Sequence, residues 1–204
     1  MESINSTVLA AMLRESMQNG QKPNLTLTSN SMSPLLKSGD QVAIQSISNT
    51  QLQTGDIITI VDTRDTTQLL THRYWGTSCD SENEHLITRG DRPLFFDPPI
   101  SAEKIVGIVI LRRRDGRILN LQDGKGQWLN QQLTRLAALE LKWLTGINSV
   151  NSKNILAETA VSNQRAQAKQ QKFSVKIMRR GFNLINIVLT TCVPFFVGEP
   201  SKSR

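Results

Sequence analysis

The sequence predicts a mostly β domain of short strands followed by C-terminal helices. Runs rich in β-branched residues recur between Asn24 and Leu121, separated by Gly-Asp and Pro punctuation. An Asp-Gly pair stands where a tight hairpin turn needs positive φ. From Trp128 onward, apolar residues recur at close to helical spacing. With 204 residues, 38% of them hydrophobic and 20% charged, the chain can bury one core and lacks the composition of a disordered protein.

Residues 1 to 22 read as a short amphipathic segment around Val8, Leu9, Met12, Leu13 and Met17. They have no basic start, long apolar run or small-residue cleavage site of a secretory signal, so the front of the chain is expected in the cytosol. Residues 23 to 122 make the β domain, with strand cores at Val42-Ala43-Ile44, Ile57 to Val61, Leu86-Ile87-Thr88 and Ile105 to Leu111. Asp115-Gly116 turns the chain between that last run and Ile118-Leu119. The triple Arg112 to Arg114 reads as a solvated strand end rather than a phosphate patch, because no aromatic side chain interleaves it.

After the Gly124 and Gly126 punctuation, residues 123 to 147 form one helix, expected to pack on the β domain through Trp128, Leu129, Leu133, Leu136, Leu141, Trp143 and Leu144. Gly146 suits its left-handed cap. Residues 148 to 204 begin as an Asn-, Ser-, Gln- and Ala-rich linker or exposed helix and end in a basic, apolar tail. There Phe182 to Val197 is nearly all apolar, but it is shorter than the roughly 20 residues of a spanning helix and Pro194 interrupts it.

Lys and Arg outnumber Asp and Glu by 24 to 17, and the surplus is local. Residues 1 to 164 hold 16 of each sign, while the last forty hold eight basic residues against the lone acid Glu199. Nucleic acid is therefore not expected as a partner. Two readings of the tail stand: it rests on an anionic membrane surface, peripheral on the cytoplasmic face, or its apolar run packs as a final core helix. Cys79 and Cys192 lie far apart with no further ligand at metal spacing, so no disulfide framework, metal or cofactor is expected.

Four short signals occur in order: Ser29-Asn30-Ser31-Met32-Ser33-Pro34, Gly39-Asp40, Thr71-His72-Arg73, and Arg89-Gly90-Asp91 followed by Asp97. Each alone is an ordinary loop or turn sequence. As an ordered set, together with Gly55-Asp56 and Lys104-Ile105-Val106-Gly107, they resemble the signal-peptidase-like serine endopeptidases, a superfamily that includes the self-cleaving domains of SOS-response repressors. The likeness covers most of Thr28 to Leu111 and implies a signal-peptidase-like β domain. His72 stands where most bacterial signal peptidases and the repressors carry a lysine base, so the set looks like the endoplasmic-reticulum and archaeal type.

The resemblance implies that Ser31 is the nucleophile and His72 the general base. It gives the acid role to Asp97 or to Asp91, and the oxyanion donors as the Ser31 N–H and the Ser29 hydroxyl. The chemistry asks for such groups. A serine hydroxyl attacks only when a base takes its proton, and an imidazole with a pKa of about 6.5 does so at neutral pH. An aspartate on the other ring nitrogen holds the tautomer, and two donors meet the developing negative charge.

The implied function is a serine endopeptidase that removes a leader or signal segment from a peptide or preprotein. The alternatives are a catalytically inactive peptide-binding module on the same fold, or a housekeeping signal peptidase with an atypical membrane anchor. Without the N-terminal anchor of ordinary signal peptidases, the site is expected to face the cytosol. Substrate is expected to lie extended along a strand edge, with small residues before the cut and with Phe95 and Phe96 narrowing the pockets. Asn30 stands where the family often has glycine.

Overall fold

The computed structural model describes residues 5–62, 68–79 and 84–145. The polar segment 148–171, the basic and apolar tail, Gly146 and Cys192 lie outside the described residues, as do the side chains of Trp143 and Leu144.

Helix α1 (Ser6–Gln18) opens on Asn5, whose side chain accepts the Thr7 N–H, an N-cap that satisfies one free donor of the first turn. Ala10, Leu13 and Met17, spaced three and four apart, enter the main core, while Val8 and Met12 face solvent. Arg14 donates to the carbonyls of Glu103 and Ile105, tying the helix to the start of a central strand. The amphipathic segment thus closes the core of the β domain instead of standing apart from it.

The strands are β1 (Asn24–Thr26), β2 (Gln41–Gln45), β3 (Ile57–Val61), β4 (Leu69–Cys79), β5 (Glu84–Arg89), β6 (Ile100–Ser101), β7 (Ile105–Arg114) and β8 (Arg117–Asn120). They pair antiparallel in one sheet in the order β1-β2-β7-β3-β4-β5-β6, with β8 also on β7. The four runs read as strand cores are β2, β3, β5 and β7, and the hairpin turn is Asp115-Gly116, with φ of 49° and 73°. Both angles are those of a two-residue type I′ turn, which matches the twist of the strands it joins.

β3 is buried along its whole length because both of its faces are covered. Ile57 and Val61 join the core under α1, and Ile58 and Ile60 join a second cluster with Tyr74, Leu86 and Ile100. A continuous apolar run is what such a strand requires.

Helix α2 (Gly124–Thr145) lies within the expected 123–147, with Gly124 and Gly126 in its first turn. A Cβ at Gly126 would lie 1.8 Å from the Asn120 carbonyl oxygen, so only glycine lets the first turn rest on the end of β8. Leu129, Leu133 and Ala137 form its buried stripe. Trp128, expected on that face, is 47% exposed, because one residue before Leu129 is a rotation of about 100° around the helix. No helix among the described residues is long and apolar enough to cross a membrane.

Arg112 and Arg114 correct the reading of a solvated strand end. Arg112 is buried with its guanidinium on the Leu35 carbonyl, and Arg114 donates to Leu35 and to both oxygens of Asp40. Burial, and the neighbouring charge of Arg114, lower the Arg112 pKa to about 10. Only Arg113 between them is exposed, as the two-residue period of a strand dictates.

Candidate active site

The loop from Leu27 to Asp40 presents Ser31. Met32, Leu35 and Leu36 are buried in the main core and anchor it, while Ser31 beside them stays half-buried. The loop turns on Ser33 N–H to Asn30 carbonyl and Leu36 N–H to Met32 carbonyl bonds, and the Asn30 side chain accepts the Ser38 N–H. Asn30 thus closes the loop with its side-chain amide oxygen. Asp40 finishes the turn by accepting the Lys37 N–H at 2.8 Å and clamping Arg114 at 2.6 Å. Gly39 before it has φ +88°, a conformation that disfavours any Cβ.

Strand alternation divides the remaining groups. His72 on β4 and Thr88 on β5 meet Asp97, while Arg73 and Arg89, one residue further along each strand, contact α2 on the opposite face. His72 Nε2 lies 3.0 Å from Ser31 Oγ, and His72 Nδ1 lies 2.6 Å from Asp97 Oδ2. The His72 and Asp97 side chains are 5% and 8% exposed, so imidazole and carboxylate are shielded while the half-buried Ser31 hydroxyl is reachable. Thr88 Oγ1 also donates to Asp97 Oδ2 at 2.8 Å, and the Asp97 N–H bonds the Thr88 carbonyl.

Asp91 goes elsewhere. Its two oxygens accept from Arg73 Nε and Nη2, both at 2.8 Å, in a buried bidentate pair. The structure therefore brings Asp97, not Asp91, to the histidine. The N–H of the next residue, Arg92, donates to the Ser31 carbonyl at 2.8 Å, joining the Gly-Asp loop to the serine loop. A Cβ at Gly90 would lie 2.8 Å from Pro93 Cδ and 3.0 Å from both His72 Nε2 and the Ser31 carbonyl oxygen, so a side chain there would push these groups apart.

Ser29 Oγ lies 3.2 Å from Ser31 Oγ and 3.5 Å from the Ser31 nitrogen, whose N–H points at it. The two donors assigned to an oxyanion by resemblance thus sit side by side, next to the hydroxyl that would attack. Phe96 turns into a cluster with Trp75, edge on at 6.2 Å, leaving Phe95 exposed at the surface. Of the two phenylalanines, only Phe95 is at hand to shape a binding surface.

Thr88, Asn130 and Thr134 belong to this arrangement and carry no motif. Thr88 precedes the Arg-Gly-Asp box by one residue, and its place on the His72 face follows once β4 and β5 are paired Tyr74 to Thr88. Asn130 and Thr134, in a helix far along the chain, had no local signal. Among the described residues no three His, Cys, Asp or Glu side chains gather as a metal site.

A separate polar cleft of about 370 Å3 opens between the segment leading into β3 and helix α2, lined in part by Gln53, Asp56, Asn130, Gln131 and Thr134, away from Ser31 and His72. Burial pushes the Asp56 carboxyl above its ordinary value, against the opposing pull of the Gln53 N–H and the Arg73 charge.

No protein-family model matches the chain, and no curated protein matches it.

Proposed function

We propose that this protein is a serine endopeptidase of the signal-peptidase type, cleaving a leader or signal segment from a peptide or preprotein through Ser31, His72 and Asp97. The observation that carries the proposal is the unbroken line of contacts, 3.0 Å from Ser31 Oγ to His72 Nε2 and 2.6 Å from His72 Nδ1 to Asp97 Oδ2.

In this mechanism Ser31 Oγ attacks the scissile carbonyl as His72 Nε2 takes its proton. A bond forms from Oγ to the carbonyl carbon and the carbonyl electron pair moves onto oxygen, which accepts from the Ser31 N–H and the Ser29 hydroxyl. Collapse expels the amine, which leaves with the proton from Nε2, and water then repeats the sequence to release the acyl group. Asp97 keeps the Nδ1 proton in place, so Nε2 is the free acceptor, and it stabilises the imidazolium. Thr88 fixes the carboxylate by a second bond. The peptide or preprotein substrate, the cytosolic setting and the membrane-resting tail belong to the same proposal.

The experiment is labelling with a fluorophosphonate, followed by mapping of new N-termini in the proteome of cells that express the protein. Wild type is expected to be labelled on Ser31, and Ser31→Ala and His72→Ala are expected to lose labelling and cleavage by about 10⁴-fold or more while keeping the wild-type melting temperature. A folded wild type that is never labelled is inactive and sinks the proposal in favour of a peptide-binding module. Wild-type turnover in either variant sinks the triad.

A further inference from the structure

We infer that Asn130, with Thr134 one turn further along α2, is a positioning residue for the active site, acting through Arg73. The inference rests on the peptidase reading above and adds helix α2 to the catalytic unit.

Arg73 is fully buried. A guanidinium taken out of water needs partners for its donors, and the direction of those partners sets the direction of the planar fork. One side of the fork holds Asp91, and the other, Nη1, donates to the Gly55 carbonyl at 2.8 Å, Asn130 Oδ1 at 2.5 Å and Thr134 Oγ1 at 2.9 Å. The Asn130 amide is itself aimed: its Nδ2 donates to the Gly55 carbonyl, which leaves Oδ1 toward the cation. Thr134 spends its proton on the Asn130 carbonyl, so its oxygen meets Arg73 as an acceptor. Gly55 permits the approach, since a Cβ there would lie 2.8 Å from Thr134 Oγ1 and its φ is +104°.

From Arg73 the line continues to the chemistry. Asp91 is held by the fork, Arg92 beside it donates to the Ser31 carbonyl, and Asp97 ends the same loop on His72. Arg73 also adjoins His72 on β4, so a turn of the strand at one tilts the ring of the other. A misplacement of about 1 Å in such a constellation costs on the order of 10²-fold in rate. The polar cleft that opens onto Asn130 and Thr134 lets water replace a lost amide, so the fold has a way to survive the change.

The test compares Asn130→Ala and Asn130→Asp, the latter keeping an acceptor for Arg73, by the rate of fluorophosphonate labelling of Ser31 and by the 15N shifts of the His72 ring. Asn130→Ala is expected to slow labelling by about 10- to 100-fold and to reduce the share of the Nδ1–H tautomer, at a melting temperature close to wild type. Asn130→Asp is expected to restore both to near wild type. The inference is overturned if Asn130→Ala labels as wild type with an unchanged ring, or if both variants lose labelling only in proportion to the fraction unfolded. Should Asn130→Ala fail to fold, Thr134→Val is measured in the same way, and wild-type behaviour there is the overturning result. Wild-type protein that is not labelled at all counts against the peptidase reading alone, because the His72 ring shifts still report whether Asn130 sets its tautomer.

Discussion

Arg73 takes both carboxylate oxygens of Asp91, from Nε and Nη2 at 2.8 Å each, and so removes that aspartate from the histidine next door. Asp97, six residues later, is left as the acid in contact with His72. The two carboxylates have separate work: one orders a loop and the other orders a ring.

Their substitution is expected to separate them. Asp97→Asn holds the wrong histidine tautomer and is expected to lower turnover by about 10⁴-fold with little change in melting. Asp91→Asn leaves the buried Arg73 facing a neutral amide and is expected to cost roughly 3 kcal/mol of stability, the low end for breaking a buried pair because one acceptor oxygen remains. Kinetics and denaturant unfolding on the two variants check this, and loss of turnover in Asp91→Asn at unchanged stability reverses the assignment.

Ser29 Oγ lies 3.2 Å from Ser31 Oγ, beside the place where the proposed mechanism develops negative charge. Ser29→Ala is expected to lower kcat by about 10²–10³-fold and leave KM nearly unchanged, since the bond forms fully only in the transition state. Ser29→Thr, which keeps the hydroxyl, is expected to recover much of the loss. Equal kcat for wild type and Ser29→Ala rejects this oxyanion donor.

The clamp of Asp40 on Arg114 holds the serine loop onto β7. Asp40 is 2% exposed and also accepts a backbone N–H, so Asp40→Ala leaves Arg114 with the Leu35 carbonyl alone and a turn donor without its acceptor. The cost is expected near about 3 kcal/mol, at the low end of the buried-pair range because water reaches the Arg114 side chain. Urea unfolding measures it, and a shift below about 1 kcal/mol would show that the loop does not depend on the clamp.

Asp56 gives the stability a pH dependence. Its carboxyl holds its proton to higher pH in the folded protein than in the unfolded chain. The native state therefore binds more protons in the window just above the usual carboxylate value, and stability falls as pH rises through it. Asp56→Asn removes that penalty while its side-chain oxygen still serves the Gln53 N–H. The variant is expected to gain stability relative to wild type at pH 7 and to lose that gain near pH 3, as thermal unfolding at the two pH values will show. A gain that is the same at both excludes Asp56 as the cause.

Local signals made most of the sheet legible. β2, β3, β5 and β7 lie on runs whose β-branched content marks them, and Asp115-Gly116 turns where its dihedral freedom allows. β4 was not marked. Its Leu69-Leu70-Thr71-His72-Arg73 lacks a clean alternation because both faces carry polar groups satisfied by distant partners. Gly124 and Gly126 read only as punctuation, and the second is present because α2 must touch β8.

By itself the sequence determined the mostly β class, the hairpin and the Leu129 and Leu133 positions of the α2 stripe, and it set Ser31, His72, Asp91 and Asp97 apart as candidates. Those features come from short-range preferences, the two- and 3.6-residue periods and the turn chemistry of glycine and aspartate. Tertiary structure alone decided that Asp97 meets His72, that Arg114 holds Asp40 and that Asn130 reaches Arg73, pairs separated by 25, 74 and 57 residues. Such choices depend on sheet register and helix docking, where the need to pair each buried charge selects partners that no local pattern names.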